Sequence, residues 1–230
     1  MSAIHLIRHG QASFGADDYD LLSALGERQA RLLGESLAGI GGRVAVAASG
    51  DMRRHRQTAD ACLGAMGGAP APLLDAGWNE FDHMAVIAAL HPEYADRAHM
   101  RAALMAQPDP RAAVQAMFER AMARWVAGGH DADYPEPWPA FRARCRAALA
   151  RLTESLPEGA DALVFTSGGP IAAIAQELLQ LPERTGWRLS FGLVNCGVTK
   201  LVRGREGLRL STLNGHAHFE HDPSTLVTYR

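Results

Sequence analysis

The stretch IHLIRHGQ, residues Ile4 to Gln11, ends an apolar run with three residues suited to binding and attacking an anion. Arg8 supplies a permanent cation, His9 an imidazole that can act as a nucleophile, and Gly10 a backbone that can turn closely around a ligand. Ligands of α/β proteins bind at the carboxyl ends of the strands, which is where these residues would lie. Taken alone, Arg-His-Gly also fits a solvated strand end.

A second stretch, SGDMRRHRQTA, places several arginines at the start of a predicted helix in residues Ser49 to Ala59. Free backbone N–H groups at a helix N-terminus favour phosphate, and the guanidinium fork matches phosphate oxygens. These arginines therefore predict a phosphate site if the fold brings them to Arg8 and His9. The alternative is a solvated basic face of the helix.

A carboxyl group follows in LLDAGWNEF, where Glu80 lies between Trp78 and Phe81. An apolar surrounding of this kind suits a carboxyl group to proton transfer. In a loop, however, a lone glutamate is more often a solvated side chain. Further along, VFTSGGP repeats the layout of the first stretch, with Ser167 where the first stretch has its histidine.

The elements that must position these residues alternate between strand and helix. Apolar runs predict buried strands at Ala3–Arg8, Arg43–Ala48 and Asp161–Thr166. Helical spacing predicts helices at Leu21–Leu37 with Ser23 as N-cap, at Gln57–Met66, and at Pro170–Leu181 with Pro170 in the first position. This order predicts a three-layer α/β/α fold with a mostly parallel central sheet.

The last strands and the middle of the chain depart from that alternation. Cys196–Arg203 and Leu208–Leu213 flank the turn Gly204–Gly207, which predicts a hairpin and an antiparallel edge strand. An alanine-rich stretch without strand signals predicts a helical insertion at about residues 84–156, with helices at Met100–Met105, Ala112–Val126 and Phe141–Leu156.

Together these motifs resemble the histidine phosphatase superfamily, also called phosphoglycerate mutase-like. The shared pieces are RHG after the first strand, S-x-D-M-x-R-x-x-Q-T-A, a later glutamate, and a strand that ends before Gly168-Gly169-Pro170-Ile171. The resemblance implies one domain over residues 1–230, in which the helical stretch is the variable insertion of the family.

The resemblance also implies a role for each matching residue. His9 matches the nucleophile that becomes a phosphohistidine, and Glu80 matches the acid that protonates the leaving oxygen. Arg8 and Arg54 match the arginines that bind the phosphoryl oxygens. The implied function is hydrolysis of a phosphomonoester of a small molecule through a phosphohistidine at His9, without a cofactor or a metal ion.

The chain departs from the family at Ser167, where the family has a second histidine that donates to the phosphoryl oxygens. Loss of one charge-assisted hydrogen bond costs about 1.5–3 kcal/mol, which is about a tenfold to hundredfold effect on a rate. We therefore expect a weakened or retuned enzyme. Ser167 and the backbone of Gly168, at the start of a helix, remain candidates for binding phosphate.

Four further residues are candidates for the wall of the pocket: Gln11, Ser13, His83 and His218. Gln11 and Ser13 match positions that line the pocket in the family. His218 follows the last strand, and either it or His216 is a candidate source of the missing imidazole. The residues expected to set specificity lie on the insertion and beside Glu80, namely Trp78, Trp138 and His83.

Three alternatives remain open at this point. The pocket could bind a phosphorylated ligand with little turnover, or the chain could be a phosphoglycerate mutase. A serine hydrolase using Ser167 is the third, but its nucleophile elbow needs the pattern G-x-S-x-G, and Phe165 occupies the first glycine position.

Composition excludes other classes of function. The net charge of −2 provides no general field for attracting nucleic acid or an anionic membrane, so neither is an expected partner. The three cysteines are far apart and indicate a reducing compartment, and no secretory signal is visible, so we expect a cytoplasmic protein. The sequence leaves open whether the chain forms a homodimer.

Overall fold

Within residues 1–13 and 20–229, the part of the chain that the computed structural model describes, six strands form one mixed sheet. The strands are β1 Ser2–Arg8, β2 Val44–Ser49, β3 Leu73–Leu74, β4 Asp161–Thr166, β5 Val198–Gly204 and β6 Gly207–Gly215. Their order is β3-β2-β4-β1-β5-β6. Strands β1 to β4 run parallel, whereas β5 is antiparallel to β1 and β6. The predicted mixed sheet with an antiparallel edge is confirmed.

Helices lie between the strands. Their bounds are α1 Ala24–Leu37, α2 Arg53–Met66, α3 His83–Leu90, α4 Arg97–Met105, α5 Pro110–Ala127, α6 Trp138–Ser155, α7 Gly168–Leu178, α8 Glu183–Gly186 and α9 Pro223–Leu226. None of the helices in the described ranges is long and apolar enough to cross a membrane.

The two faces of the sheet are covered by different helices. Because side chains alternate along a strand, Ile4 and Leu6 of β1 join one apolar core, whereas Ile7 joins the other. The first core contains residues of α3, α5, α6 and α7, and the second contains residues of α1 and α2. Helices on both faces give the predicted three-layer α/β/α arrangement.

The predicted helical stretch in the middle of the chain forms α3 to α6, although α3 itself was not predicted. The residue in the sequence that marks the start of α3 is Asp82, whose carboxylate accepts hydrogen bonds from the backbone N–H groups of Met84 and Ala85. The ring of Trp125 on α5 packs against Phe81, Trp138 and Phe141, at centroid distances of 4.8, 5.1 and 5.5 Å. Trp138 thus belongs to the core that joins α5 and α6 to the segment after β3.

All six predicted helices begin at a different residue in the structure, and for α1 and α2 the partners of the N-terminal N–H groups explain the observed start. Helix α1 begins at Ala24 rather than at Leu21, since Ser23 is its N-cap, as predicted. Helix α2 begins at Arg53, four residues before the predicted Gln57, because a carboxylate oxygen of Asp20 accepts the Arg53 N–H at 2.8 Å.

The start of α7 and the start of β5 also differ from prediction. Helix α7 begins at Gly168, so Pro170 occupies its third position rather than its first. Strand β5 begins at Val198 rather than at Cys196. Cys196 has a φ of 57°, in the left-handed region, which a strand residue cannot adopt. The hairpin tip itself is confirmed, since Gly204 pairs with Gly207 across it.

Candidate active site

Two neighbouring parallel strands end at the candidate site. The last residues of β1 and β4, Arg8 and Thr166, are paired in register, so His9 and Ser167 follow side by side. The His9 N–H donates to the Thr166 carbonyl at 2.8 Å. The side-chain amide of Asn195 donates to the His9 carbonyl at 3.0 Å. These bonds hold the backbone of His9 at the carboxyl edge of the sheet.

The imidazole of His9 is held in one tautomer. Its Nδ1 lies 2.7 Å from the carbonyl oxygen of Gly10. A carbonyl can only accept, so Nδ1 carries the proton and Nε2 keeps its lone pair. Burial, followed by the charges of Arg54, Arg8 and His55, lowers the pKa of His9 well below its ordinary value. His9 is therefore a neutral imidazole at physiological pH, with Nε2 available as a nucleophile.

Two guanidinium groups lie beside this ring, as their effect on the pKa of His9 shows. Arg54 is only 3% exposed, and its Nη1 donates to an oxygen of Asp20 at 2.7 Å. Arg8 donates from Nη1 to the carbonyl of Leu193. The structure thus brings together the two arginines and the histidine that the sequence analysis had joined only by motif.

Glu80 lies at the N-terminus of α7. Its Oε2 accepts the N–H of Gly169 at 3.0 Å, and its Oε1 accepts the N–H of Phe81 at 3.2 Å. A Cβ at Gly169 would overlap Oε1 of Glu80 and would lie 3.0 Å from its Cδ. Glycine is therefore required at this position for the carboxylate to approach the helix.

Ser167 binds a histidine that the sequence analysis did not consider. The Ser167 Oγ lies 2.6 Å from Nε2 of His55, and both residues are fully buried. The rings of His55 and His9 are 5.7 Å apart between centroids. Helix α2 starts at Arg53, so His55 lies in its first turn. The available signal was the position of His55 directly after Arg54, inside the arginine-rich motif.

Gly168 directly follows Ser167 and starts α7. A Cβ at Gly168 would lie 3.8 Å from Nε of Arg8 and 3.5 Å from the carbonyl oxygen of Ser190, which are ordinary contacts. The backbone of Gly168 is therefore close to the Arg8 guanidinium.

Gln11 and Ser13 bind the chain that enters α1. The Ser23 hydroxyl donates to the side-chain oxygen of Gln11 at 2.9 Å, and the Gln11 N–H donates to Gln29 at 2.8 Å. The hydroxyl of Ser13 donates to the Leu22 carbonyl at 3.0 Å. Both residues thus support the loop after β1, whatever they contact in a complex.

A glycine is needed at position 10 for a packing reason that the sequence did not indicate. A Cβ at Gly10 would overlap the carbonyl oxygen of Gly26 in α1, and its N–H donates to the Thr58 hydroxyl at 3.0 Å. The glycine therefore allows the loop after β1 to pack against α1.

The two remaining candidate histidines differ in position. The ring of His83 packs 5.1 Å from the ring of Phe81, the residue after Glu80. Burial lowers the pKa of His83, and the charge of Glu80 opposes this change. The ring of His218 packs 4.1 Å from that of Phe219, and burial lowers the pKa of His218 to about 4. The described contacts of His218 do not include His9.

The specificity role expected for Trp78 is not supported by its position, because Trp78, like Trp138, is buried in the first core. Residues 1–13 and 20–229 contain no group of three or more His, Cys, Asp or Glu side chains arranged to hold a metal ion.

A family model describing the histidine phosphatase superfamily (branch 1) matches residues 4–216, and the chain therefore belongs to that superfamily. Solved structures with this fold include a mycobacterial glucosyl-3-phosphoglycerate phosphatase complexed with VO3, which is 23% identical with a TM-score of 0.65 over 93% of this chain and 99% of that one. No curated protein sequence matches the chain.

Two other solved structures share the fold. A phosphoserine phosphatase mutant from Entamoeba histolytica, in complex with phosphoserine, is 17% identical with a TM-score of 0.64, covering 95% of this chain and 99% of that one. A phosphoglycerate mutase from Bacillus anthracis str. Sterne is 18% identical with a TM-score of 0.63, covering 94% of each chain.

Proposed function

We propose that the protein hydrolyses phosphomonoesters of a small molecule through a phosphohistidine at His9. The observation that carries the proposal is the state of the His9 ring. It is buried and neutral, its Nδ1 proton is bound to Gly10, and burial together with the charges of Arg54 and Arg8 lowers its pKa. A buried imidazole beside two guanidinium groups is suited to attack a dianion whose charge those groups offset.

In the first step, Nε2 of His9 attacks phosphorus while the bond from phosphorus to the ester oxygen breaks. Arg8 and Arg54 stabilise the charge on the phosphoryl oxygens in the in-line transition state. The departing oxygen takes a proton from the carboxyl group of Glu80, which leaves a carboxylate.

In the second step, water attacks the phosphorus of the phosphohistidine. The Glu80 carboxylate takes the proton of that water, the bond from phosphorus to Nε2 of His9 breaks, and inorganic phosphate leaves. Glu80 is thereby protonated again and His9 is neutral again, so the enzyme returns to its starting state.

The family and the fold support this class of reaction without naming a substrate. Two of the structures that share the fold are named as phosphatases and one as a mutase. A mutase must retain its phosphoryl group while the substrate reorients, and it differs from a phosphatase in the fate of that group. Product analysis separates the two, because hydrolysis releases inorganic phosphate whereas a mutase transfers the group to the substrate.

The hydrogen bond between His55 and Ser167 gives the serine hydrolase alternative one favourable observation, since a nucleophilic serine needs an adjacent base. Two features oppose it. Ser167 has φ −118° and ψ 176°, which is ordinary extended backbone rather than the strained turn of an elbow. In the described part of the chain, Nδ1 of His55 has no carboxylate partner to orient the ring.

The test is incubation with a radiolabelled phosphoester, followed by denaturation at neutral or acid pH. Acid-labile label on the wild type, and none on His9→Ala, is the expected result. With p-nitrophenyl phosphate, Glu80→Gln should accumulate label, because a nitrophenolate leaves without a proton whereas hydrolysis still needs the base.

Label that survives acid would indicate a phosphoester rather than a phosphohistidine. Binding of inorganic phosphate without labelling and without turnover would favour the ligand-binding alternative. Label that resides on Ser167 would support the serine alternative. Each of these outcomes would contradict the proposed function.

A further inference from the structure

We propose that His55 is a positioning residue, whose Nε2–H donates to the Ser167 hydroxyl and so directs the Ser167 proton to a phosphoryl oxygen at His9. This inference rests on the proposed function and adds to it a residue outside the matched motif positions. The pair would serve in place of the imidazole that the family carries at position 167.

The contact is short and protected from water. Oγ of Ser167 and Nε2 of His55 are 2.6 Å apart, and neither residue is exposed. A buried hydroxyl and a buried imidazole would each be costly without a hydrogen-bond partner. Because both groups are shielded from water, solvent does not compete for the bond between them. Ser167 is the N-cap of α7, yet its side chain makes no capping bond to that helix. Its oxygen is therefore committed to His55.

The surroundings of Nδ1 decide which atom of the pair donates. In the described residues, Nδ1 of His55 has no hydrogen-bond partner. It faces Gly50 so closely that a Cβ at Gly50 would overlap it. The nearby amide of Asn79 is engaged with Asp51, at 2.9 Å from its oxygen and at 2.5 Å from its nitrogen.

A glycine Cα–H group can act as a weak donor but cannot accept a proton. A proton on Nδ1 of His55 would therefore be a buried donor that makes no hydrogen bond in the described residues, which costs more than leaving a lone pair there without a donor. The favoured neutral tautomer carries its proton on Nε2, and Nε2–H donates to Ser167. Burial and the charge of Arg54 keep the pKa of His55 well below its ordinary value, so the second proton is not added.

Once Oγ of Ser167 accepts from His55, the hydroxyl proton of Ser167 must point elsewhere. Ser167 and His9 follow two residues paired in register, and the His55 ring lies 5.7 Å from the His9 ring. The Ser167 hydroxyl therefore lies at the same edge of the sheet as His9, where its proton can be directed to a phosphoryl oxygen. A serine alone could rotate its hydroxyl, but the hydrogen bond from His55 restricts it.

The kinetic test uses four variants assayed for kcat with p-nitrophenyl phosphate: His55→Leu, His55→Gln, Ser167→Ala and the double variant His55→Leu/Ser167→Ala. Loss of one hydrogen bond to a charged group predicts about a tenfold to hundredfold decrease for His55→Leu and for Ser167→Ala. The double variant should fall no further than Ser167→Ala, because the two residues act as a unit. His55→Gln, which places an amide N–H near Nε2, should restore most of the activity.

The control is His5→Leu, at a buried histidine whose neighbour is Asp161, which should not change kcat. Melting temperatures of all variants show whether a loss of activity reflects unfolding. Wild-type kcat in a folded His55→Leu, or an equal loss in His55→Gln and His55→Leu, would overturn the inference. Neither result would affect the proposed function, which fails instead if His9→Ala keeps its activity.

A second measurement does not depend on turnover. The ¹⁵N chemical shifts of His55, assigned by comparison with His55→Gln, distinguish a protonated Nε2 from a protonated Nδ1. The expected spectrum has the proton on Nε2 across neutral pH. A proton on Nδ1 would overturn the inference, even if the enzyme proved to have no phosphatase activity.

Discussion

Replacing Gly169 by alanine should displace the carboxylate of Glu80 from the N-terminus of α7. The added methyl group would overlap Oε1 and would lie 3.0 Å from Cδ of Glu80 and 3.1 Å from the ring of Phe81. Glu80 cannot stay where it is, so its 3.0 Å hydrogen bond from the Gly169 N–H should be lost.

The magnitude follows from the role proposed for Glu80. A misplaced general acid costs about 10² to 10⁴ in rate. We therefore expect Gly169→Ala to lower kcat by about a hundredfold for an alkyl phosphate, whose leaving group requires a proton. The loss should be at least tenfold smaller for the phosphorylation step with p-nitrophenyl phosphate, whose leaving group does not.

The assay is steady-state phosphate release from an alkyl phosphate, with single-turnover release of nitrophenolate from the aryl ester. The neighbouring change Gly168→Ala provides the comparison, because a methyl group there makes only ordinary contacts of 3.5 Å or more. Its effect should be at least tenfold smaller than that of Gly169→Ala. Unfolding curves confirm that both variants fold.

The reasoning requires that the methyl group acts through the carboxylate. In a Glu80→Ala background, Gly169→Ala should therefore have almost no further effect, since residues that act as a unit are not additive. A full additional loss in that background would refute the argument, as would equal losses for the alkyl and the aryl ester.

Single contacts of Arg54, His5 and Ser23 support further predictions. Asp20→Asn removes a negative charge that pairs with Arg54. Phosphate would then compete with one carboxylate fewer, so the inhibition constant of inorganic phosphate should fall several-fold. A rise would mean instead that Asp20 orients Arg54 for the anion. Burial, then Lys200, lowers the pKa of His5 from 6.5 to about 4. Between these pH values the unfolded chain binds a proton that folded His5 does not, so the free energy of unfolding decreases as the pH falls. His5→Gln should flatten that dependence by up to about 1.4 kcal/mol per pH unit in denaturant titrations, and an unchanged dependence would contradict this prediction. Ser23→Ala removes the N-cap of α1 and should lower the free energy of unfolding by about 1 kcal/mol, which an unchanged denaturation midpoint would contradict.

Much of the fold was predictable because its signals are local. Strand β4 was predicted with its observed bounds, Asp161–Thr166, because an uninterrupted apolar run is typical of a strand buried on both faces. The Ser23 cap and the hairpin between Gly204 and Gly207 also depend on neighbours in the chain. Helix α2 was mispredicted because its first N–H is satisfied by Asp20, which no local pattern around Arg53 reveals.

By itself, the sequence determined the order of strands and helices along the chain, the family resemblance, and the residues proposed to act on a phosphate: His9, Arg8, Arg54 and Glu80. Only the tertiary structure decided that His55 binds Ser167, that Glu80 needs the bare backbone of Gly169, and that the His9 proton lies on Nδ1. Propensity and periodicity act over a few residues, whereas His55 and Ser167 lie 112 positions apart. Which partner a buried polar side chain finds depends on how the helices pack over the sheet, because that packing alone sets which groups are close once water is excluded.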